Sequence, residues 1–158
     1  GLDDAKRLSE AGRERLRPLI EERALAWCVA SASAQEIDEL NILRASFLAM
    51  HRAIAGLAFA PDHLLIDGNR FTAHARIAHT CAIGGDGRYR SIAAASVLAK
   101  THRDELMREL HRAHPAYGWA VNKGYPTVAH REAIRLMGPS EQHRRSFALL
   151  GNTAPILS

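Results

Sequence analysis

From position 35 to about position 57 the apolar residues Leu40, Leu43, Phe47, Met50 and Ile54 recur every three or four places, the period of one helix face. Ser33 and Glu36 ahead of them have the spacing of a capping box, in which hydroxyl and carboxylate each satisfy the other's backbone N–H. One continuous helix over 35–57 is therefore predicted. Upstream, Ser9 can cap a helix running to about Arg23, with Pro18 a candidate interruption because proline lacks the N–H that a helix interior uses. The segment 25–30, which holds Trp27, Cys28 and Val29, reads as a strand. A second strand is predicted over 62–67, where the run Leu64-Leu65-Ile66 stops at Asp67-Gly68, and a third over 75–83. The glycine-rich Gly84-Gly85-Asp86-Gly87 stretch leads into a helix predicted over 91–113. Pro115, Gly118, Gly124 and Pro126 mark a loop, after which Thr127 can cap a helix that Gly138-Pro139 ends. A short basic helix is expected after Ser140.

Alternating strands and helices place the chain in the α/β class. Its 158 residues fit one domain and can bury on the order of two thirds of the unfolded surface. A hydrophobic share of 47% with 24% charged residues is that of an ordinary globular protein, so the composition argues for a packed core rather than disorder. No apolar run approaches the roughly 18 residues that span a bilayer, and no signal peptide is visible, so a cytoplasmic protein without a membrane partner is expected. Cys28 and Cys81 are too few and too far apart for a zinc site; two reduced thiols are expected, with one disulfide left open. The net charge of +4 suits a polyanionic partner without demanding one.

The most informative chemistry lies in the stretch from Ser91 to Asp104. Its Ala- and Ser-rich surface lets a helix approach a sheet closely. At 100° per residue Asp104 falls beside Ala93, Val97 and Lys100, on the border of the apolar face. Asp67, at a strand end, is a second carboxylate expected at the rim of the same sheet. Two such groups are oxygen ligands suited to Mg²⁺ or Mn²⁺, and the nine histidines show no helical pair that would argue for zinc. Tyr125, between Gly124 and Pro126, reads on local grounds as a loop tyrosine plugging the core.

The order of motifs resembles ribonuclease HII along nearly the whole chain. The resemblance is carried by Leu2-Asp3-Asp4-Ala5-Lys6-Arg7-Leu8-Ser9, Ile37-Asp38-Glu39-Leu40-Asn41-Ile42 and Gly85-Asp86 followed by the helix from Ser91 to Asp104. It continues through Tyr117-Gly118-Trp119, Asn122-Lys123-Gly124-Tyr125-Pro126-Thr127 and His143-Arg144-Arg145-Ser146-Phe147. It implies an α/β fold: a ribonuclease H-like mixed sheet flanked by helices, with a C-terminal helical segment. Residues 1–115 would form the core, and residues 116–158 a substrate-recognition loop and helices packed with it as one domain. The family's opening Asp-Glu-x-Gly-Arg-Gly strand has no counterpart here, so a sheet lacking its first two strands is expected. Two of four family carboxylates would be lost with it.

By that resemblance Asp67 and Asp104 are the remaining catalytic metal ligands, for Mg²⁺ or Mn²⁺. Tyr125 would recognise the RNA–DNA junction by stacking on a sugar while its hydroxyl meets the 2′-OH. Lys6 and Lys123 are phosphate contacts, with Arg7, Arg88, Arg90, Arg144 and Arg145 as weaker candidates; Ala5 and Arg7 stand where the family has Ser and a second Lys. His143 is expected to anchor the terminal segment rather than to react. The implied activity is two-metal-ion endonucleolytic cleavage of RNA in RNA–DNA hybrids and of ribonucleotide-containing duplex DNA, 5′ of the ribonucleotide, by a protein that is a monomer at full length. Two carboxylates alone hold metal weakly and cannot position two ions for in-line attack, so no nicking is expected of this chain alone; cleavage by it would mean that others, such as Asp86 or Glu105, fill the missing places. The alternative is a catalytically incomplete nucleic-acid-binding fragment of the same family. Ribonuclease HIII ranks last, because the terminal His-Arg-Arg-Ser-Phe pattern is present.

Overall fold

The computed structural model describes residues 8–150. The elements are α1 (Glu10–Arg23), α2 (Ala34–Leu40), α3 (Ile42–Ala55), β1 (His63–Asp67), β2 (Ala78–Ala82), α4 (Arg90–Ala113), α5 (Trp119–Asn122) and α6 (Val128–Met137). Short 3₁₀ turns occur at Gly85–Gly87 and Pro115–Tyr117. The chain divides into two compact units. The first holds residues up to Ser31 together with Ser46–Arg103; the second holds Ala32–Ala45 and the residues from Asp104 onward.

In the first unit, Ser9 caps α1 by accepting a hydrogen bond from Gly12 N–H at 3.1 Å, and the helix passes through Pro18 without ending. Ile20 of α1 packs with Ala93, Val97 and Leu98 of α4, flanked by Leu16 and Val29. The strands β1 and β2 are parallel, in register from His63 opposite Ala78 to Asp67 opposite Ala82. Leu64 and Ile66 face inward with Ile77, against Met50 and Ile54 of α3. The crossover between the strands carries no helix. Phe71 holds it, its ring stacked on His51 at 5.0 Å and edge-on to Phe47 and His79 at 5.9 and 5.2 Å.

Residues 25–30 are not a strand: the chain bends at 25–26 and the segment has no ladder partner among the described residues. Its Trp, Cys and Val reflect packing, which is most of what strand propensity measures. Trp27 lies against His102 with ring centroids 5.7 Å apart, and Leu25 is 90% exposed. The helix predicted over 35–57 is two helices, because Asn41 adopts φ 69°, ψ 162°. Its side chain then caps α3 by accepting from Leu43 N–H and Arg44 N–H at 3.1 and 3.2 Å. The capping box of α2 forms as expected, through Ser33 and Glu36.

In the second unit Tyr117 and Trp119 stack at 5.0 Å and pack with Ala133 and Ile134 of α6, next to Met107 and Leu110. Tyr117 Oη donates to the Gly138 carbonyl at 2.8 Å. Thr127 caps α6 by accepting from His130 N–H. Among the described residues no helix follows Ser140; successive turns stand in its place. The carboxylate of Asp38 orders them, accepting from Arg145 N–H at 2.7 Å, Ser146 N–H at 2.9 Å and the Ser146 hydroxyl at 2.5 Å. These bonds hold the Asp38 carboxyl below the usual range, the Ser146 hydroxyl contributing most.

Candidate active site

Asp67 ends β1 at its carboxyl edge, where open α/β sheets bind ligands. Its side chain is exposed, and Oδ1 accepts from Gly85 N–H at 2.9 Å. The backbone reaches this carboxylate because position 85 has no side chain: a Cβ there would stand 2.5 Å from Ile92 Cδ1 and 3.5 Å from Asp67 Oδ1. Asp86, next in the turn, is buried. Asp67 also lines a groove of about 620 Å³ in the first unit, walled by Ile20, Trp27, Met50, Ile92 and Leu98. Exposed Arg88 and Arg90 follow the turn; the Arg88 guanidinium lies 5.6 Å from the Tyr89 ring centre.

Asp104 belongs to the second unit, on α4. It continues the buried stripe of Ala93, Val97 and Thr101, and only 9% of it is exposed. The expectation of a border position is corrected to a buried one. The stripe reaches it because Thr101 satisfies its own hydroxyl locally, on the Val97 and Leu98 carbonyls.

Tyr125 is 65% exposed, so it does not plug the core. Its loop is nonetheless fixed. Lys123 and Gly124 take left-handed conformations, at φ 50° and 79°. Buried Asn122 donates to the Tyr117 carbonyl at 2.7 Å and accepts from Gly124 N–H at 2.8 Å. Tyr125 N–H donates to the Asn122 carbonyl at 2.8 Å, while the Tyr125 carbonyl accepts from Thr127 N–H at 2.8 Å. Pro126 restricts Tyr125 further, toward extended backbone. Lys123, half-buried, sits two residues from the exposed ring. Lys6 and Arg7 lie outside the described residues. Arg144 covers the Phe147 ring at 4.0 Å, and Arg145 is exposed.

Beneath the loop lies a buried pair not anticipated as such from the sequence. His130 and His143 face each other with Nε2 atoms 3.2 Å apart. Burial pushes the His143 imidazole below its ordinary pKa, and neighbouring His130 and His114 push it the same way. His143 is thus a packed structural group. His130 was missed: the only hint was its place three residues after the capping Thr127.

The donor types at Asp67 and Asp104 are carboxylate oxygens, which suit Mg²⁺ or Mn²⁺; Mg²⁺ is commonly held by one or two carboxylates, with water and substrate phosphate completing the shell. Among the described residues no three His, Cys, Asp or Glu side chains converge as a metal cage. Among the same residues no helix is long and apolar enough to cross a membrane.

The family model for Ribonuclease HII matches residues 1–150. The chain is 60% identical over 149 residues to a Ribonuclease HII of Parabacteroides distasonis, covering 94% of this chain and 75% of that protein. It is 59% identical to one from Porphyromonas gingivalis (92% and 73% covered) and 53% identical to one from Thiobacillus denitrificans (94% and 72%). The crystal structure of ribonuclease H2 from Pyrococcus horikoshii superposes with a TM-score of 0.77 at 20% identity, over 95% of this chain and 78% of that one, which establishes the shared fold. With the family model matched over most of the chain and relatives this similar, the chain belongs to the ribonuclease HII family.

Proposed function

We propose that this protein is an endonuclease that hydrolyses the RNA strand of RNA–DNA hybrids and nicks duplex DNA on the 5′ side of an embedded ribonucleotide, leaving a 3′-hydroxyl and a 5′-phosphate. The observation that carries the reading is the exposed carboxylate of Asp67 at the carboxyl edge of the parallel pair, held by Gly85 N–H. Asp67 and Asp104 are the proposed metal ligands. Two divalent ions, when bound, supply an activated water and relieve charge on the phosphorus and the leaving oxygen. The Gly85 N–H fixes the plane of the Asp67 carboxylate before any ion arrives, so little reorganisation remains. Tyr125 meets the ribose, because the 2′-OH is the one group that separates a ribonucleotide from its deoxy counterpart. Lys123 and Lys6 contact phosphates and supply affinity without sequence choice.

The test is nicking of a duplex with one ribonucleotide in Mg²⁺ or Mn²⁺. Wild-type protein should cut, and Asp67→Asn or Asp104→Asn should reduce cutting by about 100-fold or more, the scale of losing a principal electrostatic contribution. Substrate binding should survive better than turnover, since Asn keeps the shape and removes only the charge. Tyr125→Ala should instead narrow the preference for ribonucleotide-containing over all-deoxy duplex. A protein that binds hybrid but cuts it with neither ion would favour the non-catalytic binding reading.

A further inference from the structure

The proton positions in the pair beneath the Tyr125 loop follow from the groups at its ends. Trp119 Nε1–H, which can only donate, points at His130 Nε2 at 3.1 Å. His130 Nε2 is therefore an acceptor, and the ring proton of the neutral imidazole sits on Nδ1. That nitrogen faces the Tyr125 carbonyl at 2.9 Å. At the other end, Ser140 N–H, also only a donor, points at His143 Nδ1 at 3.0 Å. His143 consequently carries its proton on Nε2, 3.2 Å from His130 Nε2, whose lone pair is shared between Trp119 and His143. A single direction of donation runs from Ser140 through both imidazoles to the Tyr125 carbonyl. A proton added at His130 Nε2 would face the Trp119 donor, whereas His143 Nδ1 also meets the Ser140 hydroxyl at 2.9 Å, which can donate or accept.

We propose that His130 is a positioning residue for ribonucleotide recognition: as the Nδ1–H tautomer it ties the carbonyl of Tyr125 to the buried Trp119–His143 cluster and so fixes the backbone that carries the exposed ring. This rests on the reading of Tyr125 as the group that meets the ribose. The Tyr125 carbonyl has two acceptor sites; Thr127 N–H takes one and His130 the other. Thr127 belongs to the same loop and moves with it. His130 is buried on α6, with 5% exposure, and couples the loop to the core of its unit. A loop backbone held this way has little left to order on meeting substrate, and less ordering cost means higher affinity. The titratable groups around the pair are His114, whose ring meets Trp119 edge-on at 5.9 Å, and Tyr117, whose ring lies 4.8 Å from His143. The lowered pKa of His143, for which burial is the largest cause, agrees with its assignment as a neutral ring.

Two measurements test this. Two-bond ¹H–¹⁵N spectra of histidine-labelled protein at about pH 7.5, above the ordinary imidazole pKa, should give His130 as the Nδ1–H tautomer and His143 as Nε2–H. Fluorescence anisotropy with Ca²⁺ in place of Mg²⁺ should compare binding of ribonucleotide-containing and all-deoxy duplex. His130→Ala should lower that ratio by about tenfold, the scale of one lost hydrogen bond. His130→Asn, whose side-chain N–H can stand in for Nδ1–H, should restore most of it, which a merely volumetric role would not produce. Tyr125→Ala should lower the ratio alike, and the double variant should add nothing. His130 in the Nε2–H form, or a His130→Ala protein as selective as wild type while Tyr125→Ala is not, overturns the positioning role and leaves Tyr125 as the reader. A Tyr125→Ala protein with its selectivity intact overturns the reading of Tyr125 and the positioning role with it.

Discussion

A methyl group at position 85 tests how tightly the Asp67 carboxylate is built in. The added carbon of Gly85→Ala would lie 2.5 Å from Ile92 Cδ1, closer than such atoms approach, so either Ile92 or the turn must shift. Overpacking of this kind costs about 1–3 kcal/mol. Chemical denaturation should show that loss, and the metal-dependent nicking rate should fall with it as the Gly85 N–H leaves Asp67; unchanged stability would mean that the turn is slack. Asp67 itself was legible in the sequence, since an apolar run that stops at Asp-Gly announces a strand end. The bond from Gly85 was not, because it links residues 18 apart through tertiary approach alone. Tyr125 was singled out for recognition only through the family likeness, and that role stands as a proposal; local reasoning put the residue in the core, and it is exposed. His130 has no local signature, because its partners Trp119, His143 and Tyr125 meet only after α6 has docked.

At the scale of elements, the apolar period that predicted one helix over 35–57 continues across the break at Asn41, which is why the break could not be read from it. Two opposing effects meet at that residue. Its φ of 69° with ψ of 162° is a conformation that glycine tolerates and other residues adopt only with strain. Its side chain nevertheless caps two N–H groups of α3. Asn41→Ala keeps the strain and loses the cap, and should cost about 1–2 kcal/mol. Asn41→Gly loses the cap but relieves the strain, and should lie within about 0.5 kcal/mol of wild type. Thermal unfolding of the two variants checks this; equal losses would show that the backbone conformation carries no strain. The helix starts with side-chain caps at Ser9, Ser33 and Thr127 were legible to within a residue or two, because capping is a local interaction. The segment 25–30 was not, since a strand is defined by a neighbour that its own sequence does not contain.

For the whole molecule, the α/β class followed from the alternation of patterns, but the division into two units did not, because it groups Ala32–Ala45 with residues beyond position 103. The second unit closes through polar groups as much as apolar ones, and this gives its stability a dependence on pH. His143 has a folded pKa below its ordinary value of about 6.5, for which burial is the largest cause. Between the two values the unfolded chain binds more protons than the folded one, so stability rises with pH across that interval. The contribution is fully present above about pH 6.5, and it is lost as pH falls through the folded value. Asp38, whose pKa is also lowered, acts in a separate and more acidic window: its contribution is present above its ordinary 3.8 and disappears below. The unfolding temperature should therefore be nearly flat from about pH 8 to pH 7 and decline from about pH 6.5 to pH 5, the range in which imidazole titrates. His143→Asn, which cannot take up the proton, should start lower and decline less over that range. Parallel curves for the two proteins between pH 6.5 and pH 5 would show that His143 has the same proton affinity in the folded and unfolded chains, and that its protonation is not what acid disrupts.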